Sequence, residues 1–154
     1  MTFGHIKSMA DIFIEEFSVP EGSIVALCSY DRIQTLAAVL ALCAKKCRAC
    51  VIDGFITPKL SDFIKKSAHY IYQLGRLFKF NNSLPFETLI STDIPISKVI
   101  MDKDGEYHIR NINDNQMYDY RNAECLITYE NLHVAEWACY ALQAVLNGKT
   151  VLIL

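Results

Sequence analysis

No stretch of this chain stays apolar for the ~20 residues that a membrane-spanning helix requires. Low-complexity tracts and Pro/Gly/Ser-rich linkers are also missing, so nothing divides the 154 residues into separate parts. That length fits one domain of ordinary size. Neither sign of charge is in excess. The formal net charge is −2, which favours neither nucleic acid nor an acidic membrane surface. The one local basic group, Lys45, Lys46 and Arg48, reads as a complement to a helix dipole. A secretion signal is not evident, because Asp11, Glu15 and Glu16 fall in an amphipathic pattern near the N-terminus. His5, His69 and His108 lack metal-ligand spacing. The expectation is a cytoplasmic chain with no metal or other cofactor, no nucleic-acid partner and no membrane.

What is present is a pattern that occurs twice. Residues 23–53 run from an apolar segment through Tyr30-Asp31 into a long apolar helical pattern and a second apolar segment. Residues 123–154 repeat this order, with Tyr129-Glu130 at the first junction. Apolar runs that do not alternate are expected where helices cover both faces of a parallel sheet. The fold class is therefore α/β: a layered, mostly parallel sheet with two related βαβ-like units and a small β-hairpin insertion. It forms a single domain over 1–154, with an insertion or loop region at about 75–122. The hydrophobic fraction of 52% supplies material for a full core or for a partner surface.

Thr2 can cap a first helix whose apolar face holds Ile6, Met9, Ala10, Phe13 and Phe17. Strands are expected at 23–28, 48–52 and 69–73. Ser29 or Asp31 caps the second helix, and Thr57-Pro58 is a cap followed by proline at the first helical position. Residues 75–95, with Asn81-Asn82, Pro85 and Pro95, read as a loop with room for one short helix. Lys103-Asp104-Gly105 joins two alternating runs, a hairpin signal. Residues 111–122 are polar and read as a surface loop. The closing unit is a strand at 123–128, a helix near 132–146 stopped by Gly148, and a strand at 149–154.

Several segments carry a resemblance. Thr2-Phe3-Gly4-His5-Ile6 resembles the Thr-Tyr-x-Glu-Leu opening of adenylate-forming enzymes: acyl-CoA synthetases, luciferases and nonribosomal-peptide adenylation domains. Val19-Pro20-Glu21-Gly22-Ser23-Ile24-Val25-Ala26-Leu27 is similar to their x-Pro-Gly-Asp-x-Val-Ala-Leu stretch. Leu36 to Ala41 resembles the helix that follows, and Asp53, Pro58 and Leu60 match the family's Pro-Leu-Asp … Pro-x-x-Arg-Leu turn. Leu132 to Trp137 and Leu146 to Leu152 resemble a Phe/His-Val … Leu-Leu-x-Gly-Ala-Thr-Val-Val segment. The resemblance covers 1–74 and 124–154. It implies the fold of the N-terminal portion of such an enzyme.

The departures concern chemistry. The family's phosphate loop, a Ser/Thr/Gly-rich run ending in Pro-Lys-Gly, belongs between the third strand and residue 132, where backbone N–H groups cradle ATP phosphates. That interval holds only Gly75 and Gly105, with no such run. Motifs for adenine, magnesium and ribose belong beyond residue 154. Lys46 and Val51 stand in place of a usual glycine and proline.

The resulting expectation is a truncated, degenerate adenylation-like module, a pseudoenzyme with no catalytic residues of its own. It would act as a binding or structural partner in an acyl- or aminoacyl-activating pathway such as nonribosomal peptide synthesis. Its partner would be another protein, a carrier protein or synthetase, or a second copy of the chain. The alternative is one part of a split or larger ATP-dependent ligase that helps build the acyl or aminoacyl pocket. His133 and Trp137 share a helix face, where the resemblance implies a border of the carboxylate pocket; core packing is the competing reading. Tyr30 and Tyr129 stand at strand carboxyl ends, where open α/β sheets bind ligands; helix capping competes there. Cys43-x3-Cys47-x2-Cys50 has iron–sulfur spacing, but it spans a helix pattern and a strand pattern, which favours buried thiols.

Overall fold

A computed structural model of the chain describes residues 3–28, 31–53, 55–89, 95–112, 125–128 and 134–153. The elements in order are α1 (Phe3–Glu16), β1 (Ile24–Cys28), α2 (Arg32–Ala44), β2 (Arg48–Ile52), α3 (Pro58–Ser67), β3 (Tyr70–Gln73) and β4 (Arg76–Lys79). They continue with β5 (Ile96–Met101), β6 (Tyr107–Asn111), β7 (Cys125–Thr128), α4 (Val134–Leu146) and β8 (Thr150–Ile153). The architecture is α/β. One sheet has the strand order β4-β3-β1-β2-β5-β6, and β7 and β8 pair in a second. Pairing is parallel for β1 with β2, β1 with β3, β2 with β5 and β7 with β8. The β3–β4 and β5–β6 hairpins are antiparallel.

The repeat is realised as β1-α2-β2 and β7-α4-β8, two parallel units whose helices are 13 residues each. Their helices also end alike. After α2, Cys47 N donates to Leu42 O at 2.9 Å and Lys46 N to Cys43 O at 3.0 Å. This double closure is the Schellman motif, which needs a left-handed residue just past the helix. Lys46 takes that conformation with φ 56. After α4, Lys149 N donates to Ala144 O at 2.8 Å, and the left-handed residue is Gly148 with φ 69.

Local chemistry explains the other helix ends. Asp31 caps α2: its Oδ1 accepts from Ile33 N and Gln34 N at 2.9 and 3.0 Å; Ser29 lies outside the described residues. Thr57 Oγ1 accepts from Leu60 N at 3.2 Å, with Pro58 opening α3. Thr2 lies outside the described residues.

Strand alternation divides the core. Val25, Leu27, Ala49, Val51 and Ile96 face α1, α2 and α4, while Ala26, Ile52 and Ile71 face α3. Trp137, Ala138 and Leu142 of α4 belong to the same buried cluster as Phe17 of α1 and Leu36 of α2, so the two units share one core. Phe13 and Phe17 stack at 5.4 Å between centroids, and both meet Tyr72 edge-on.

The middle of the chain departs from the loop expectation. Arg76–Lys79 forms β4, folded onto β3 by a two-residue turn in which Leu74 and Gly75 both have positive φ, 52 and 75. Such turns ordinarily take Asn, Asp or Gly first, so Leu74 gave no turn signal. Residues 80–89 follow without regular structure, and no helix occurs among them. The expected hairpin around Gly105 forms, but it is built into the sheet: β5 continues the parallel order beside β2. Of the segment expected as a surface loop at 111–122, Asn111 ends β6 and Ile112 is buried, its N–H donating to Ile96 O at 3.0 Å, so these two residues belong to the sheet; residues 113–122 lie outside the described residues.

Candidate functional site

The carboxyl ends of the parallel strands lead into α2 and, near β5, face the start of α4. Two pairs of side chains lie there. The Arg32 guanidinium, at the first residue of α2, lies 5.6 Å from the Trp137 ring centroid. Lys98 of β5 donates from Nζ to Glu136 Oε1 in the first turn of α4. Both side chains of that pair are mostly buried, and Glu136 Oε2 is buried with no hydrogen-bond partner among the described residues. The positive end of the α4 dipole favours a carboxylate here. Two cations and two helix N-termini would suit an anion. The anion that Lys98 holds, however, is the chain's own Glu136.

Trp137 is fully buried. The structure therefore places it in the core, with the Arg32 guanidinium against its ring. His133, Tyr30 and Tyr129 lie outside the described residues, so Trp137 alone of the four sequence candidates has a described environment.

The amino ends of the same strands are closed by residues 80–89, which cross them as a strap. His69 receives Ile24 N–H on Nδ1 at 2.8 Å and donates from Nε2 to Leu84 O at 2.9 Å. Accepting on one ring nitrogen and donating from the other defines a neutral tautomer. Phe86 stacks on the same ring at 4.6 Å. Asn82 Nδ2 donates to Lys65 O and Ala68 O, both at 2.8 Å. Arg48, only 8% exposed, donates from Nε to Glu87 Oε2 at 2.6 Å and from Nη1 to Ser97 Oγ at 3.3 Å. Ser97 Oγ donates on to Asn111 Oδ1 at 2.6 Å. These bonds tie the strap across this end of the sheet.

The cysteine spacing assembles no cluster. Cys43 is in α2, Cys47 precedes β2 and Cys50 is within β2. Burial raises the thiol pKa of each, Cys50 to about 12. Thiols that stay protonated are poor metal ligands, since binding takes the thiolate. Among the described residues no group of His, Cys, Asp and Glu could hold a metal ion. No described helix is long and apolar enough to cross a membrane.

Sequence reasoning did not reach Arg32, Lys98, Glu136 or the His69 and Arg48 strap. A Lys inside a strand pattern, or an Arg opening a buried one, does signal a missing acid. The position of that acid in a distant helix or loop leaves no local trace.

No family model matches the chain, and no curated protein matches it. Among solved structures, the chain is similar to o-succinylbenzoate CoA synthetase from Bacillus subtilis, solved in complex with its acyl-adenylate intermediate. The TM-score is 0.63 at 12% sequence identity, over 99% of this chain and 48% of the synthetase. The likeness is one of fold, and the chain spans about half the length of that enzyme.

Proposed function

We propose that this chain is a catalytically inert, adenylation-like module that acts as a binding or structural partner in an acyl- or aminoacyl-activating pathway. The fold likeness to an adenylate-forming synthetase supports the pathway. The observation that carries the inertness is the use made of glycine between β3 and α4. Gripping a triphosphate needs a run of backbone N–H groups that small residues leave open. The two glycines of this interval serve instead as hairpin turns, Gly75 between β3 and β4 and Gly105 between β5 and β6. The Lys98 ammonium is likewise committed to Glu136. A binding role is supported by Phe55 and Leu74, 85% and 88% exposed just beyond the carboxyl ends of β2 and β3.

ATP–pyrophosphate exchange with a panel of carboxylic and amino acids tests the reading. The chain alone is expected to give no exchange; substrate-dependent exchange by the chain alone overturns it. Light scattering tests the partner role, and a strict monomer that no carrier protein or synthetase binds would count against it.

The coverage of about half of a synthetase favours one second reading, a component of a split ligase. In that case, adding the chain that supplies the remaining half would restore exchange. Continued silence of the mixture leaves the inert module.

A further inference from the structure

The sheet face opposite α4 carries a groove that neither the repeat nor the resemblance points to. Ile71 of β3 and Phe78 of β4 are cross-strand partners beneath it. Ser61, Ile64 and Lys65 of α3 line it from the side, and Phe80 completes an apolar slot of about 270 Å³. Phe78 remains 50% exposed although it lines the slot. Of the residues that line it, only Lys65 is charged. Lys65 is on the groove side of α3. Arg76 shares the Phe78 face of β4, because alternate strand residues share a face. Neither cation is paired with an acid among the described residues, and no acid lines the groove. An apolar slot whose one charged lining residue is a lysine complements an amphipathic anion. Its volume falls just below the ~300–1,000 Å³ of drug-sized pockets, which limits the occupant to a short chain.

We propose that the groove between α3 and the β3–β4 hairpin binds a small amphipathic monocarboxylate, its short acyl chain over Ile71 and Phe78 and its carboxylate at Lys65. This site lies across the sheet from Trp137, and it stands or falls independently of the adenylation-like reading, since no nucleotide or partner protein enters the argument.

The test is titration of the whole chain with sodium octanoate, followed by amide chemical shifts, with octylamine as the cationic isostere. The expected result is saturable octanoate binding with shifts confined to α3, β3 and β4, and no saturable binding of octylamine. Lys65→Glu is expected to weaken octanoate at least about tenfold, the loss of one charge-assisted contact. Arg110→Glu, on the far edge of the sheet, is expected to leave it unchanged. Lys65→Met keeps the stem without the charge and serves if the Glu variant does not fold. Equal binding of octylamine, shifts scattered over the surface, unaltered affinity in both Lys65 variants, or no saturable binding of octanoate would each overturn the proposal.

Discussion

Arg48 and Glu87, 39 positions apart, meet at 2.6 Å between Nε and Oε2. The contact joins the first residue of a central strand to the end of the strap that closes the sheet's amino edge. Its guanidinium side is 10% exposed and its carboxylate side 31%. Removing only the acid therefore takes the carboxylate from a mostly buried cation, which keeps its bond to Ser97.

Glu87→Leu is expected to lower unfolding stability by about 2 kcal/mol, below the 3–5 of a fully buried pair because Glu87 is partly solvated. Urea denaturation measures it. Arg48→Met with Glu87→Leu is expected to regain most of the loss, since neither charge then remains buried. A double variant as unstable as the single one would show that the strap is held by its other bonds.

Gly22→Ala is expected to be more damaging than a surface substitution has reason to be. Gly22 has φ 85, and a Cβ there would stand 2.3 Å from Glu87 O. Glu87 N also donates to Gly22 O at 2.8 Å, so the strap cannot move away without losing a bond. A loss of at least about 2 kcal/mol is expected, combining left-handed strain with the clash. Faster amide exchange over 80–89 would accompany it.

Lys46→Gly is expected to stabilise the chain. Lys46 holds φ 56 in the Schellman closure of α2, where an L-residue costs roughly 1–2 kcal/mol. The substitution gives up a 3.7 Å ion pair with Glu21 in which both side chains are well exposed, a contact of little value. A rise of about 1 kcal/mol in urea denaturation is expected, after the greater freedom of Gly in the unfolded chain is subtracted. Lys149→Gly, one position past Gly148, gains nothing by this mechanism and serves as the control.

Stability is expected to fall in alkali through the buried thiols. Burial raises Cys50 from the ordinary 9.0 to about 12 and Cys28 to about 11. The folded chain keeps these protons where the unfolded chain releases them. The contribution is thus complete below pH 9 and declines as pH rises toward about 12. Each thiol adds a slope of up to ~1.4 kcal/mol per pH unit in that window. Urea midpoints measured between pH 8 and 10.5 check this, and Cys50→Ala should flatten the decline. A disulfide-exchange reagent at pH 8 should label Cys50 only after denaturant is added.

Most of the fold was legible in local chemistry. The β1-α2-β2 and β7-α4-β8 units follow from apolar runs, the Asp31 cap and the Gly148 stop. Thr57-Pro58 announces α3, and Asp104-Gly105 announces the second hairpin. The first hairpin was not legible, because Leu74 occupies a left-handed turn position that leucine ordinarily avoids. The resemblance led to Trp137, but not to its cover, Arg32. Nothing near either residue in the chain marks the other.

Periodicity and capping act within a few residues, so the sequence by itself determined which segments become helices and strands, and that their apolar faces must be covered on both sides of a sheet. Tertiary structure alone decided the pairs that join distant segments: Lys98 with Glu136, Arg48 with Glu87, and His69 between Ile24 and Leu84. A charged or polar group buried by a sheet must take its partner from whatever packs above it, and packing brings together residues that no spacing along the chain relates.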